Sequence, residues 1–196
     1  MNQADSRKKY SKKIGNKAES LFASLCVKKG CKIIKATAKQ DVYEHWDYKV
    51  ISRNHKITLV DIKSIKDNNP NLIYLELINT KGHDGWLQGK ADLIAFHQDD
   101  GFALFKRSDL LNWVLQKLGF GSINEIRALY HECHDEQGIF DPFGFSEASH
   151  YFTSNKKDAI YKLYSRKPWH GKPRHDVMTK ARIQDMMNEI ENWMLQ

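Results

Sequence analysis

The sequence predicts an α/β fold in which one helix, a mixed sheet of four to five strands and a second helix form a core. A mostly helical C-terminal extension is expected to follow. Apolar residues recur at helical spacing near the N-terminus, alternate at strand spacing around a short polar turn, and return to helical spacing behind a good N-cap at Ser108. With 196 residues, 41% of them apolar, the chain is long enough for one such core and a small annex.

The N-terminal part is predicted to be a basic arm followed by a helix. Residues 1–13 are rich in Lys and Arg and are expected to fray. Over Asn16–Val27 the apolar residues follow the spacing of an amphipathic helix, which Gly30 ends. A short strand is predicted over Lys32–Thr37.

A β-hairpin is predicted next, because Trp46–Ser52 and Lys56–Ile65 have strand character and the polar residues between them suit a tight turn. Further strands are predicted over Leu72–Asn79, Lys90–His97 and Phe102–Phe105. A helix over Ser108–Leu118, which Gly119 ends, completes a core that spans residues 14–120.

The remaining residues, 121–196, are predicted to be a basic, aromatic-rich extension. It begins with a helix near Ser122–His134 and closes with a helix from about Thr179 to the end of the chain. Methionines at helical spacing make the closing helix a packing surface or the seam of a homodimer.

Composition and charge exclude several classes of protein. Mean hydropathy is −0.64 and the apolar runs are short, so we expect a cytoplasmic protein with no membrane segment and no secretory signal. The three cysteines are expected to be reduced thiols. Basic residues outnumber acidic ones by eleven to two in residues 1–40 and by nine to two in 156–182, whereas 41–155 is acidic. Such flanks suit a polyanionic partner or a solvated surface.

The acidic centre contains a pair of carboxylates. Asp61 and Lys63 are two residues apart on one strand and project from the same face. A turn centred on Asn54 places Asp47 directly opposite Asp61, where two carboxylates repel each other unless a cation lies between them. Mg²⁺ fits, because it is usually held by one or two carboxylates, water and substrate phosphate. Lys63 is then expected to orient or deprotonate an attacking water.

Two further acids are candidates for the same site. Glu19 borders the apolar stripe of the first helix and is expected where that helix meets the sheet. Glu76 interrupts an otherwise apolar strand. Each acid taken singly is ordinarily an edge, turn or solvated residue, and only their convergence indicates a metal site.

These elements resemble, in the same order, the PD-(D/E)xK nuclease superfamily, which includes many restriction endonucleases, Holliday-junction resolvases and phage exonucleases. The matching segments are GNKAES with Glu19, HWDYKV with Asp47, and ITLVDIKS with Asp61 and Lys63. The stretch YLELINTKGHDGWLQGKADLIAF looks like the third and fourth strands of small phage-type members. The resemblance covers about residues 14–115, and Trp46 replaces the proline of the motif without removing a ligand.

The resemblance implies a restriction-endonuclease-like core that binds Mg²⁺ or Mn²⁺ and hydrolyses DNA phosphodiester bonds by in-line attack. The metal ligands it implies are Asp47, Asp61, the backbone carbonyl of Ile62 and, directly or through water, Glu19. Lys63 would position the water, and Glu76 would be an auxiliary residue on the third strand.

Basic and aromatic side chains outside this set are candidates for contact with nucleic acid. They are Lys12, Lys13 and Lys17 near the N-terminus, His83, Trp86 and Lys90 in the glycine-rich stretch, and Arg166, Lys167, Lys172 and Arg174 in the extension. Alternatively, Trp86 packs into the core and the extension is a small subdomain with solvated charges. A zinc site built around His131, Cys133 and His134 has a spacing that fits no structural-zinc pattern well.

The sequence therefore favours a Mg²⁺-dependent DNA endonuclease, with a resolvase of branched DNA as one form of it. A nucleic-acid-binding protein that keeps the fold without the chemistry, and a structural protein that uses the metal only as a staple, are the alternatives. The set of Asp47, Asp61 and Lys63 disfavours both, since a binding module gains nothing from acids that face a polyanion.

Overall fold

The structure, a computed structural model, describes residues 3–64, 71–133, 140–142, 144, 148–165 and 176–196. They form a mixed α/β protein with six helices and two mixed sheets. The chain divides into two compact units, each made of separate segments. The first unit comprises Met1–Leu72, Gly89–Arg107 and Met187–Gln196, and the second comprises Ile73–Gln88 and Ser108–Met186.

The strands and helices are numbered along the chain. The strands are β1 Lys32–Lys35, β2 Tyr48–Ile51, β3 Ile57–Lys63, β4 Leu72–Ile78, β5 Leu93–Gln98, β6 Gly101–Lys106, β7 Phe152–Thr153, β8 Leu163–Ser165, β9 Val177–Arg182 and β10 Asn192–Leu195. The helices are α1 Gln3–Lys28, α2 Ala38–Glu44, α3 Arg107–Leu118, α4 Ile123–Glu132, α5 Ala148–Tyr151 and α6 Ile183–Glu189.

The first unit is built on a six-stranded sheet in the order β1-β2-β3-β5-β6-β10. β3 and β5 are parallel, and every other neighbouring pair is antiparallel. Helix α1 packs on this sheet through its apolar stripe, so that Phe22 lies among Val60, Ile62 and Phe102 in one buried cluster. The rings of Phe22 and Phe102 meet edge to face with centroids 5.3 Å apart. This packing fixes the rotation of α1 and with it the direction of its other side chains.

Helix α1 confirms the predicted amphipathic helix but begins earlier. Its backbone is helical from Gln3, so the expected frayed arm is part of the helix. It ends as predicted at Gly30, whose φ of 78° lies in the left-handed region that glycine adopts easily. The Cys31 N–H then donates to the Cys26 carbonyl at 3.0 Å, the bond that closes a Schellman cap.

Helix α2 was not predicted. It starts after Thr37, which forms a capping box: the Thr37 side chain accepts from the Gln40 N–H, and the Gln40 side chain accepts from the Thr37 N–H. It has only seven residues and none of them is buried, so it leaves no apolar stripe in the sequence.

The second unit contains a four-stranded sheet in the order β4-β9-β8-β7. β7 and β8 are parallel, and β8 and β9 are antiparallel. The predicted helices near Ser108–Leu118 and Ser122–His134 are confirmed as α3 and α4.

The strand predicted at Leu72–Asn79 is confirmed, but its expected place in the core sheet was wrong. This strand is β4, and it pairs with β9 in the second unit, whereas β3 pairs with β5. Alternation of apolar residues specifies which face of a strand is buried but not which strand lies beside it.

The mostly helical extension was also wrong. The segment after Thr179 contains the end of β9, the short helix α6 and the strand β10, which pairs with β6. The two compact units therefore do not follow the predicted boundary at residue 120, because the last ten residues belong to the first unit. Among the described helices, none combines the length and the apolar character needed to span a bilayer.

Candidate active site

The hairpin of β2 and β3 has the predicted register. Tyr48 pairs with Val60 and Ile51 pairs with Ile57, as a turn centred on Asn54 requires. His55 closes the turn with a φ of 62°. The regular pairing of β2 with β3 stops at Tyr48 and does not extend to Asp47. The Asp47 N–H donates at 2.9 Å to the carbonyl of Val60, and Val60 is already the partner of Tyr48. Asp47 and Asp61 are therefore not a ladder pair.

The Asp47 carboxylate is held by the strand beside it. Its Oδ2 accepts a 2.6 Å hydrogen bond from the backbone N–H of Ile62. Ile62 lies between Asp61 and Lys63, so Asp47 is anchored at the centre of the DIK sequence. The predicted role of Ile62 as a ligand concerns its carbonyl oxygen, whereas this contact uses its N–H.

Asp61 and Lys63 form an ion pair on the face of β3 that α1 does not cover. Val60 and Ile62 belong to the core cluster beneath α1, and alternation turns Asp61 and Lys63 to the other face. Asp61 is only 3% exposed, and its Oδ2 lies 2.8 Å from the Lys63 Nζ. A buried carboxylate requires such a partner.

The pKa of Asp47 depends on the charges of the other three predicted residues, Glu19, Asp61 and Lys63. Burial, and next the negative charge of Asp61, raise the pKa of Asp47 to about 7. The Ile62 N–H and the Lys63 ammonium oppose this rise, and the charge of Glu19 adds to it. Interactions of this kind require the groups to be near one another, so the structure brings Glu19, Asp47, Asp61 and Lys63 into one neighbourhood.

Glu19 forms an ion pair with Lys35 beside the candidate site. Its Oε2 accepts a 2.8 Å hydrogen bond from the Lys35 Nζ, and this contact is the main reason why the pKa of Lys35 is raised. The charge of Asp47 raises the same pKa further. Lys35 also lies 5.9 Å from the centre of the Tyr48 ring. Glu19 is thus one side of an ion pair at the edge of the site.

Asp41, on α2, is an acid of this site that sequence reasoning missed. Partial burial raises the pKa of its carboxyl group, the Lys63 charge lowers it, and the charges of Asp61 and Glu19 raise it. The residue as a whole remains exposed, as expected for a group that is surrounded by protein on one side and by water on the other. The capping-box sequence Thr37-x-x-Gln40 was the available signal, because it marks a helix start immediately before Asp41.

The other predicted residues are divided between the two units. Glu76 lies on β4 and His83 and Trp86 follow it, all in the second unit. Trp86 is buried, which favours the packing alternative, and His83 is exposed. Lys90 belongs to the first unit and contacts Glu44 at 3.2 Å.

The predicted basic contacts near the termini are only partly described. Lys13 and Lys17 are exposed on α1, and the side chain of Lys12 lies outside the described residues. Arg166, Lys167, Lys172 and Arg174 lie outside them altogether.

No group of three or more His, Cys, Asp or Glu side chains within the described ranges is spaced to hold a metal ion. The zinc alternative gains no support, since Cys133 is buried, its thiol pKa is raised to about 11, and His134 lies outside those ranges. What remains is a pair of acids, Asp47 and Asp61, beside one lysine.

The chain matches no protein-family model, no curated protein and no protein of solved structure. The chemistry of the site is what indicates a function, since two acids and a lysine from β3 and from the residue before β2 lie together.

Proposed function

We propose that this protein is a Mg²⁺- or Mn²⁺-dependent DNA endonuclease on a restriction-endonuclease-like core. One observation carries the proposal. Asp47 directly precedes β2 and lies near enough to Asp61, on the adjacent strand β3, for the charge of Asp61 to raise its pKa, and the Lys63 Nζ is 2.8 Å from Asp61. A carboxyl group whose pKa is shifted by burial and by neighbouring charges, as that of Asp47 is, is typical of sites that perform chemistry.

The residues present fit a hard divalent cation. Carboxylate oxygens are its preferred ligands, and one or two carboxylates are sufficient for Mg²⁺ when water and a substrate phosphate complete its coordination. Asp47 and Asp61 would hold the ion, with the Ile62 carbonyl as a further ligand. Glu19, which is paired with Lys35, would act at the edge of the site. When bound, the ion would polarise the phosphoryl oxygen and lower the pKa of a water molecule.

The protein's own residues have separate roles in this proposal. The Ile62 N–H holds the Asp47 carboxylate in a fixed orientation through its 2.6 Å hydrogen bond. Asp61 keeps the Lys63 ammonium beside it, where this group can position the attacking water and stabilise charge that develops on the phosphate. The exposed lysines of α1 supply contacts to the DNA backbone.

A cleavage assay on supercoiled, linear, single-stranded and four-way-junction DNA tests the proposal, with Mg²⁺, Mn²⁺ or EDTA. Asp61→Asn and Lys63→Ala should lose cutting while circular dichroism shows that they remain folded. Asp92→Asn is a matched control. The Asp92 carboxylate also accepts a hydrogen bond from a backbone N–H of β3, that of Leu59, at 2.7 Å, but Asp92 is exposed.

Cutting that needs the metal, disappears in both site variants and survives in Asp92→Asn supports a nuclease. Unchanged cutting in the site variants assigns the activity to a contaminant or to another site. DNA binding that falls steeply with salt, with no cutting under any condition, would instead identify a binding protein that lacks the chemistry.

A further inference from the structure

Helix α2 is anchored beside the candidate site at both ends. Just before it, the Ala36 N–H donates to the Asp47 carbonyl at 2.7 Å. At its last residue, the Glu44 carbonyl accepts from the Lys90 N–H at 2.7 Å. The helix thus leaves the sheet next to Asp47 and returns within three residues of it, so the helix as a whole lies beside the candidate site.

The two sides of α2 differ in what they contact. Asp41 is influenced by the charges of Lys63 and Asp61. Glu44 accepts hydrogen bonds from the Trp46 indole at 2.8 Å and from the Lys90 ammonium at 3.2 Å. Glu44 is therefore paired within the first unit, and both acids of α2 lie on the side of the helix opposite to Lys39, Val42 and Tyr43.

The outer side of α2 combines an aromatic ring with a lysine. Lys39, Val42 and Tyr43 are spaced i, i+3 and i+4, which puts them on one face of the helix. Val42 is 54% exposed and Tyr43 is 72% exposed. An aromatic ring that is mostly exposed buries little apolar surface within the fold, but it offers a flat surface for stacking.

The charge around this face fits a chain of phosphates. Lys39 on α2 is exposed, and it belongs to the segment 1–40, in which eleven basic residues face two acidic ones. A polyanion whose flat rings are accessible satisfies both features together. Single-stranded DNA has this chemistry, whereas the bases of a duplex are stacked on each other and present only their edges.

We propose that Tyr43 stacks on an unpaired base and that Lys39 contacts the adjacent phosphate, so that the site takes single-stranded DNA in preference to duplex. The catalytic consequence rests on the proposed nuclease function, but the binding itself does not require the metal.

Fluorescence anisotropy with a fluorescein-labelled single-stranded oligonucleotide and its duplex, in EDTA, measures the binding without cleavage. We expect tighter binding of the single strand, a loss of about fivefold or more in Tyr43→Ala, and a change of less than about twofold in Tyr43→Phe. Tyr10→Ala is the matched control. Tyr10 is 66% exposed, but it lies nine residues before Glu19 on α1, about 14 Å along the helix axis.

Lysine variants test the phosphate contact in the same assay. Lys39→Ala should weaken binding and reduce its dependence on salt, whereas Lys56→Ala, in the exposed turn at the far end of the hairpin, should not. Equal losses in Tyr43→Ala and Tyr10→Ala, an equal loss for duplex and single strand, or no binding by the wild type would each overturn the proposal. Preferential binding of the single strand with no cutting in Mg²⁺ would support this inference and contradict only the nuclease function.

Discussion

The Asp47 carboxylate accepts a 2.6 Å hydrogen bond from the backbone N–H of Ile62, the residue that separates Asp61 from Lys63. This bond replaces the ladder pair that the hairpin register would otherwise place there. It holds a second carboxylate close to Asp61 in spite of their repulsion. Because an asparagine oxygen can accept the same bond, the charge of Asp47 can be removed while its anchor is kept.

Asp47→Asn should stabilise the protein at about pH 8 and do so much less at about pH 4.5. The folded pKa of Asp47 is raised from 3.8 to about 7, so the folded state keeps a proton that the unfolded chain releases. Its contribution to stability is present below about pH 4 and is lost as the pH rises through about 7. We expect a difference of roughly 1–3 kcal/mol at the higher pH, or roughly 2–4 °C in Tm for each kcal/mol.

Thermal denaturation followed by circular dichroism, at both pH values and in EDTA, measures this effect. Asp92→Asn serves as the control, since it removes an exposed carboxylate that makes the same kind of bond to β3. An equal effect of Asp47→Asn at the two pH values would mean that the raised pKa of Asp47 is not the cause.

Mg²⁺ should raise the Tm at about pH 8 and do so much less at about pH 5. At the lower pH Asp47 is protonated, and a proton must leave before the carboxylate can bind the ion. Linkage predicts about 1.4 kcal/mol of stabilisation when Mg²⁺ is about ten times its Kd. Differential scanning fluorimetry of the wild type and Asp61→Asn, with and without a short oligonucleotide, measures the shift. A shift that persists in Asp61→Asn would place the ion elsewhere.

Lys63→Ala should reduce the rate of DNA cleavage by roughly 100-fold or more while metal binding persists. The ammonium of Lys63 lies 2.8 Å from Asp61. Among the described side chains of Glu19, Asp47, Asp61 and Lys63, it is the one that is both positively charged and a hydrogen-bond donor. Cleavage rates at saturating Mg²⁺, compared with the Mg²⁺-dependent change in Tm, separate the two effects. Loss of both together would show that Lys63 only maintains the structure of the site.

Glu19→Gln and Lys35→Ala should affect stability alike and activity differently. Each breaks the same ion pair, in which Lys35 is largely exposed, so the stability change should be about 0–1 kcal/mol. Only Glu19→Gln removes a carboxylate from the proposed metal site and should slow cleavage. Equal cleavage rates in the two variants would make Glu19 merely the partner of Lys35.

The hairpin and its acids could be predicted from sequence because their determinants are local. A short polar turn fixes the register of the two strands that it joins, and alternation then assigns Asp61 and Lys63 to one face. The end of the ladder at Tyr48 could not be predicted in this way. It depends on the hydrogen bond from the Asp47 N–H to the Val60 carbonyl. Which backbone carbonyl an N–H bonds to does not change the pattern of apolar and polar residues.

The errors lie where contacts are distant in sequence. The β4 strand has the composition of a buried strand in any sheet, so its pairing with β9 depends on residues a hundred positions away. Met186 and Ile190 do lie at helical spacing, but α6 ends at Glu189 and the last residues extend as β10. Helix α2, with no buried residue, was detectable only from the capping sequence at Thr37.

The pairing of Trp193 with Leu104 in β10 and β6 has a consequence for how the chain acquires its structure. The sheet that carries Asp61 receives one edge strand from residues 192–195, which follow every segment of the second unit in the chain. Pairings between such distant segments form slowly, because a long loop must close first. Until then the outer edge of β6 is unprotected, so a fragment that stops at residue 120 should associate through that edge.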